Sequence, residues 1–513
     1  MNLLLSLIHD LTIMKVNVVL FISSIAFVSS LGTTTPNYWV LRNRILQDEE
    51  VKSIGGDLPF EGEEFIANER LMFHKKTEIS KAFLNPDEFL PARNFLEAFG
   101  DIEKSKVFQI IQKLPKGAVL HVHHKAMVHA DWIYNATFRD NLYVCENNGK
   151  LLLHFFRTPP RSCNWHLLED LRKNRNVAQS INDRISKAMT MIVENPQEVY
   201  SHIDVGWNKF EEIFDFVTPV IGYRPVAEDH FYQGLKESYD DNVLYLEIKT
   251  GIPKLYDLDG RQYNDHEVVD IFEKVTQRFK KDHPDFIGAK LIYTKGRMLS
   301  DAKVHGYIDK VVELKRDFPD FIAGFDLAGQ EDKGKALRSW AERLNKLKTQ
   351  MNFFFHAGET NWYGTSTDEN LIDAVLLNTK RIGHGYAILK HQNVLEYVKR
   401  NKIAIELCPI SNQVLGLVKD LRNHPGSVLF AEGVPVVVSN DDPGLWGSRA
   451  LSYDFYEAFM GMMSSNADIR ALKQLAINSI IYSSLGKNEI ADALKIWRSK
   501  WIDFVNDLKN EPN

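Results

Sequence analysis

The sequence predicts an α/β protein built around a (β/α)8 barrel, and three observations carry that expectation. Eight short apolar runs recur over the last three quarters of the chain: 118–123, 243–249, 286–293, 321–327, 352–356, 381–384, 403–408 and 434–439. Each is continuously apolar rather than alternating, as in strands buried on both faces. Most are separated by stretches of helical length, such as the amphipathic segments 265–281 and 333–348. Finally, several runs end in polar, chemistry-bearing clusters, and they do so at the same end, where a barrel of this type gathers its functional groups.

Composition is consistent with that class. The 513 residues are 44% hydrophobic and 25% charged, with a formal net charge of −6. This excludes wholesale disorder and a multi-span membrane protein, and without a basic excess nucleic acid is not expected as a partner. Three cysteines exclude a disulfide-dense scaffold.

In chain order, residues 1–30 read as a signal peptide. An apolar run from Val16 to Ser30 follows Lys15 and ends in small residues, and it is too short for a stable membrane span. Met14 offers an alternative start. Secretion is therefore expected, with the lysosome as the alternative destination. Residues 31–105 are charged and helical in pattern and form an N-terminal appendage; residues 106–513 hold the barrel. About 120 residues separate the first two strands, far more than a βα connection needs. Part of that gap, 131–184, reads as an inserted subdomain. It contains the sequon Asn135-Ala136-Thr137 and the pair Cys145 and Cys163, which an oxidising compartment would join. Cys408 lies in an apolar run and reads as a buried thiol.

The first strand ends in His121-Val122-His123, whose alternation places two imidazoles on one face. The fifth ends in His356-Ala357-Gly358-Glu359, the sixth in Gly383-His384-Gly385 and the eighth in Ser439-Asn440-Asp441-Asp442. Three histidines and an aspartate suit Zn²⁺ with one position left open for water. His384 can take a proton from that water and orient it, Glu359 can protonate the group under attack, and Asp442 can fix the substrate. The chemistry reached from these residues is metal-assisted hydrolysis.

These clusters, with PKGAVLHVH (115–123), AGFDLAGQED (323–332), FFHAGETNWYGTS (354–366), RIGHGYA (381–387), ELCPISNQVL (406–415), SNDDP (439–443) and LSYDFYEAFMG (451–461), resemble the adenosine deaminase family of the amidohydrolase barrels. The resemblance is closer to its secreted branch, the adenosine deaminase 2 and adenosine-deaminase-related growth factor group, and runs from about residue 40 onward. It implies one zinc ion per subunit on His121, His123, His356 and Asp441. Glu359 would protonate purine N1 as water attacks C6, His384 would serve the water, and Asp442 would meet N7. Gly329 would present its backbone to N3, Trp207 would lie near the ribose, and Asp326 would support the metal ligands. The implied reaction is hydrolytic deamination of adenosine and 2′-deoxyadenosine. The resemblance also implies a homodimer through the N-terminal helices and a disulfide-bearing, receptor-binding insertion.

One departure stands out. Where the family carries an acidic ribose contact after the HxH pair, this chain has His124 and Lys125. The metal and proton-transfer set is retained while the sugar end of the site is altered. Two alternatives follow: a catalytically weak or inactive extracellular ligand on the same barrel, binding a receptor or glycan, and deamination of another aminopurine, with an anionic substrate the lesser expectation.

Overall fold

The computed structural model describes residues 37–511, so the segment read as a signal peptide lies outside the described residues. The chain divides into two compact units, one ending at Glu49 and the other beginning at Glu50. The described part of the first unit belongs to the helix Tyr38–Lys52, which has no buried residue and exposes Tyr38, Trp39 and Ile45. The second unit contains all the other described elements. It starts with the helices Glu64–Leu84, Phe95–Ile102 and Lys106–Lys113. Asn94 and Ser105 cap the second and third of these through their side-chain oxygens.

Strands form at all eight expected places, although the fifth, expected over 352–356, is reduced to an isolated bridge at Phe353 and the two-residue strand His356–Ala357. β1 (Gly117–His123) is followed, after an insertion containing β2 (Leu142–Asn147), β3 (Lys150–Phe155) and β4 (His166–Leu167), by β5 (Val243–Thr250), β6 (Gly288–Gly296) and β7 (Ile322–Ala328). The second half comprises β8 (His356–Ala357), β9 (Arg381–His384), β10 (Ala404–Leu407) and β11 (Val436–Val438). Two parallel sheets result, in the orders β1-β5-β6-β7 and β11-β10-β9-β8. Parallel bridges Phe325–Phe353 and Val122–Asp441 join them into a closed barrel. The second junction is made by His123 N–H donating to the Asp441 carbonyl (2.8 Å) and Asp441 N–H donating to that of His121 (3.1 Å).

The strands are buried on both faces, as their continuous apolar patterns predict: every residue of β5, β7, β9 and β10 is buried. The helix Asp265–Asp282 matches its expected span and begins with a capping box between Asn264 and Glu267. The segment 333–348 departs from expectation. It is a 3₁₀ turn, Leu337–Trp340, followed by the short helix Ala341–Leu347. Its first residues are held at the end of β6: Lys335 N–H donates to the Arg297 carbonyl, and Gly334 packs so closely that a Cβ there would meet Arg297 Cγ at 2.3 Å.

The long first connection contains an antiparallel sheet in the order β3-β2-β4 and a disulfide between Cys145 and Cys163. Cys408 is a buried free thiol. Asn135 is exposed near the end of the helix Ala130–Ala136, while the Thr137 hydroxyl is held by the Tyr134 carbonyl (2.6 Å) and Arg172 (2.8 Å). Among the described residues, no helix is long and apolar enough to cross a membrane.

The disulfide closes a loop of sequence separation 18, for which chain entropy gives about 3 kcal/mol. Replacing Cys145 and Cys163 together by Ser is expected to make this loop the first site of limited proteolysis while the barrel keeps its circular-dichroism spectrum. Unchanged cleavage kinetics would contradict this.

Candidate metal centre and active site

The site is built on four strand ends. Register sets its lower layer: His356 of β8 lies beside Gly383 of β9, which lies beside Glu406 of β10. Gly383 leaves room for its neighbours, since a Cβ there would come within 3.3 Å of His121 Cε1 and 3.1 Å of His356 Cα.

His121, His123, His356 and Asp441 each bring one donor atom into a cluster in which all four atoms lie within 4.8 Å of one another. Asp441 Oδ1 is 3.1 Å from Nε2 of both His121 and His123. His121 Nε2 and Asp441 Oδ1 are nevertheless buried without a hydrogen-bond partner. The other ring nitrogens are engaged from beneath. His121 Nδ1 meets Glu406 Oε2 and His356 Nδ1 meets Asp326 Oδ2, both at 2.7 Å. A carboxylate on Nδ1 fixes the proton there and leaves Nε2 as an electron-pair donor. Burial draws His356 down to about 3, which keeps its ring neutral. Converging lone pairs and a carboxylate oxygen repel one another unless a cation lies among them, and nitrogen and oxygen donors of this kind suit a divalent metal such as zinc.

Beneath this cluster lies a charged layer of which the sequence reading named only Asp326. Lys249 pairs with Asp326 (2.9 Å) and Glu406 (3.5 Å), and Arg381 pairs with Glu406 (2.7 Å) and Glu247 (2.6 Å), all with no exposed side-chain surface. The signal was available: the two charges in the apolar run VLYLEIK and the one in IAIELC must be paired if those runs are buried. Glu331, in the run AGFDLAGQED, was also missed. Its carboxylate accepts the backbone N–H groups of Gly358 (3.0 Å) and Glu359 (2.7 Å) and so shapes the turn that carries Glu359. Ser411 donates to Asp441 Oδ2 (2.7 Å), and the Asn412 amide lies 3.1 Å from His384 Nδ1.

His384 Nε2 faces Glu359 Oε1 at 3.7 Å and Asp441 Oδ2 at 3.8 Å. Both His384 (φ 60°) and Asp441 (φ 58°) occupy the left-handed backbone region, a cost of order 1–3 kcal/mol each that the surrounding structure must sustain. Burial, together with the charges of Asp441 and Glu331, holds the Glu359 carboxyl well above its ordinary range. Burial and the adjacent Asp441 do the same for Asp442. Both are therefore proton-bearing groups in the cluster as it stands.

These residues open into a cavity of about 550 Å³. His123, His356, Glu359, His384, Asp441 and Asp442 line its inner end, and Gly329, Trp207, His124 and Lys125 also contribute to its wall. His121 and Asp326 lie beneath it, fully buried. Gly329 takes φ 101°, a conformation that glycine adopts without a Cβ penalty. Trp207 projects from the helix Ile203–Ile221 and packs on Phe210. The ring of His124 packs edge-on to His230 and against Phe272. Asn135, Cys145 and Cys163 are not among the residues lining this cavity.

Glu406→Gln removes the charge shared by His121, Lys249 and Arg381. The loss of one member of a buried charge network is expected to cost about 3–5 kcal/mol in denaturant unfolding. The lost support on His121 should weaken divalent-metal affinity about 10–100-fold in chelator competition. Wild-type values for both would show that this layer does not hold the cluster.

Comparison with known proteins agrees with this architecture. Residues 174–497 match the family model described as Adenosine deaminase, and residues 18–111 match Adenosine/AMP deaminase N-terminal. The chain is 46% identical to an adenosine deaminase of Lutzomyia longipalpis over 471 residues, covering 91% of this chain and 92% of that one. It is 43% identical to adenosine deaminase 2 of Sus scrofa (92% and 94% covered) and 42% identical to that of Homo sapiens (91% and 93%). Among solved structures, the N6-mAMP deaminase of Arabidopsis shares the fold at TM-score 0.55 and 15% identity, covering 76% of this chain and 99% of that one. An amidohydrolase from Burkholderia ambifaria, solved with bound Zn, does so at TM-score 0.55 and 16% identity, covering 79% and 95%. A family model spanning more than half the chain, and relatives above 40% identity over nine tenths of it, place this protein in the adenosine deaminase family.

Proposed function

We propose that this protein is a secreted, zinc-dependent adenosine deaminase that hydrolyses adenosine and 2′-deoxyadenosine to the corresponding inosines and ammonia. The observation that carries the reading is the convergence of His121, His123, His356 and Asp441 at a cavity that Glu359, His384 and Asp442 also line. Those four residues would hold the ion. Zn²⁺ bound there would lower the pKa of a water molecule to about 7 and so make hydroxide available at neutral pH.

The chain's own groups account for the remaining steps. The purine enters with its C6 edge inward. Asp442, kept protonated by its buried setting, donates to N7, and the backbone at Gly329 meets N3. His384, held from behind by Asn412, orients the attacking oxygen and receives its proton. As oxygen adds to C6, the C6–N1 π electrons move to N1 and the Glu359 carboxyl delivers its proton there. When the C6–N bond breaks, the proton held by His384 passes to the amine, which leaves as ammonia, and the C6 hydroxyl proton returns to Glu359 as C6 becomes a carbonyl. Trp207 gives the sugar an apolar wall. Asp326 and Glu406 hold the imidazoles from the second layer.

Secretion is supported by the exposed sequon asparagine, the Cys145–Cys163 bridge and the similarity to proteins named adenosine deaminase 2. The exposed apolar side chains of the otherwise polar helix Tyr38–Lys52, such as Tyr38, Trp39 and Ile45, support a homodimer through the N-terminal region. The insertion from 131 to 184, with its own small sheet, is the candidate receptor-binding element.

The deciding test is loss of adenine absorbance on adding the protein to adenosine. Glu359→Gln should lower the rate about 10²–10⁴-fold while retaining metal and fold. Asp441→Asn should lose the metal as well. Chelation should abolish activity and added Zn²⁺ restore it. Because Glu359 acts as an acid, the rate should fall on the alkaline side as its raised pKa is crossed. A zinc-replete protein that never releases ammonia from any aminopurine would leave the extracellular-ligand reading in its place.

A further inference from the structure

The outer half of the cavity is cationic. Lys125, Lys254 and Lys295 all contribute to its wall, on three different segments of the chain. Outside the inner cluster, the lining carboxylate is the exposed Glu211. Asp215 attracts Lys125, and Asp265 attracts Lys295. Nevertheless, among the described residues neither Lys125 nor Lys254 makes an ion pair or a hydrogen bond through its ammonium. Lys125 instead stands 5.5 Å over the Phe214 ring. Lys295 donates to the Gly251 carbonyl and lies over Tyr293 and Tyr307. Burial, together with the charges of Lys125 and Lys254, draws Lys295 down to about 8, so the three ammonium groups share one field.

A second, independent observation lies in the same wall. His124, 2% exposed, has a buried Nε2 with no hydrogen-bond partner. Among the described residues, none of the three ammonium groups has a carboxylate within ion-pair distance and the buried imidazole nitrogen has no hydrogen bond, so an anionic group with several acceptor oxygens would satisfy them together.

Position specifies where that anion would sit on the substrate. If C6, N1 and N7 face Glu359 and Asp442, N9 lies on the opposite side of the purine. Its sugar then extends into the outer half of the cavity. We propose that Lys125, Lys254 and Lys295, with His124, form a subsite for an anionic substituent on that sugar, so that the preferred substrate is a purine nucleoside 5′-phosphate rather than the free nucleoside. This rests on the deaminase reading above and moves its preferred substrate from the free nucleoside to the nucleotide. It adds no chemical step, because the phosphate stays intact while the amine leaves.

The experiment compares adenosine 5′-monophosphate with adenosine in two readouts: steady-state deamination by the zinc-loaded protein, and equilibrium binding to the metal-free protein by calorimetry. The monophosphate should have the higher kcat/KM and the lower Kd, by about tenfold or more at low salt, and the advantage should shrink as salt is raised. Inorganic phosphate should compete with the monophosphate more strongly than with adenosine. Lys125→Gln and Lys295→Gln should each reduce the monophosphate-to-adenosine ratio about tenfold. Lys254→Gln, at an exposed position, should reduce it in the same direction without risk to folding. Turnover of adenosine with no binding or turnover advantage for the monophosphate would overturn the subsite and leave the deaminase reading standing. Tighter, lysine-dependent binding of the monophosphate without deamination of either compound would uphold the subsite and overturn the deaminase reading.

Discussion

The burial of charge at the centre of the barrel organises the rest of this molecule. Glu247, Lys249, Asp326, Arg381 and Glu406 lie on four strands and are inaccessible to water. Isolated there, each would cost several kcal/mol; paired with one another they neutralise most of that penalty. The lysine and arginine keep Asp326 and Glu406 in their anionic forms, and the direction of both carboxyl groups is well below their ordinary range. Ionised carboxylates then hold Nδ1 of His356 and His121. What begins as a requirement of folding ends as control over which imidazole nitrogens are free above the layer.

The closure of the barrel performs a similar double task. Asp441 joins β11 to β1 through reciprocal backbone hydrogen bonds with His121 and His123. The residue that completes the sheet is therefore the one whose carboxylate meets those same two histidines. Its left-handed backbone turns the chain away from the sheet as soon as the bridge is made. Ser411 fixes the second carboxylate oxygen. Small displacements at this seam would move ligand geometry and barrel closure together.

The cavity has two chemically distinct halves. Its inner end crowds carboxyl groups that burial keeps protonated, suited to donating hydrogen bonds and protons to a heterocycle. Its outer end carries ammonium groups from two connections, Lys125 and Lys254, and from the end of β6, Lys295. The long first connection also reaches the outer wall, through Trp207 and Phe214. The insertion and the chemistry are thus parts of one connection, although the disulfide-bearing sheet itself is absent from the cavity lining.

Much of this could be read without coordinates. Continuous apolar runs located all eight barrel strands, because a parallel strand covered on both faces has no polar side to display. Polar clusters at their ends identified the residues that the cavity gathers, because a barrel delivers those ends to one rim. The excess length of the first connection announced the insertion. The sequence did not reveal its three antiparallel strands, which are short and half exposed. It also misjudged 333–348, where attachment to Arg297 overrides an amphipathic pattern. Residue types and their spacing along strands were determined by the sequence alone, since period and covalent order are local properties. Which carboxylate supports which histidine, and which lysines share one space, was decided only in three dimensions. Those pairings join strands tens to hundreds of residues apart, and their strength comes from a dry interior that exists only once the barrel has closed.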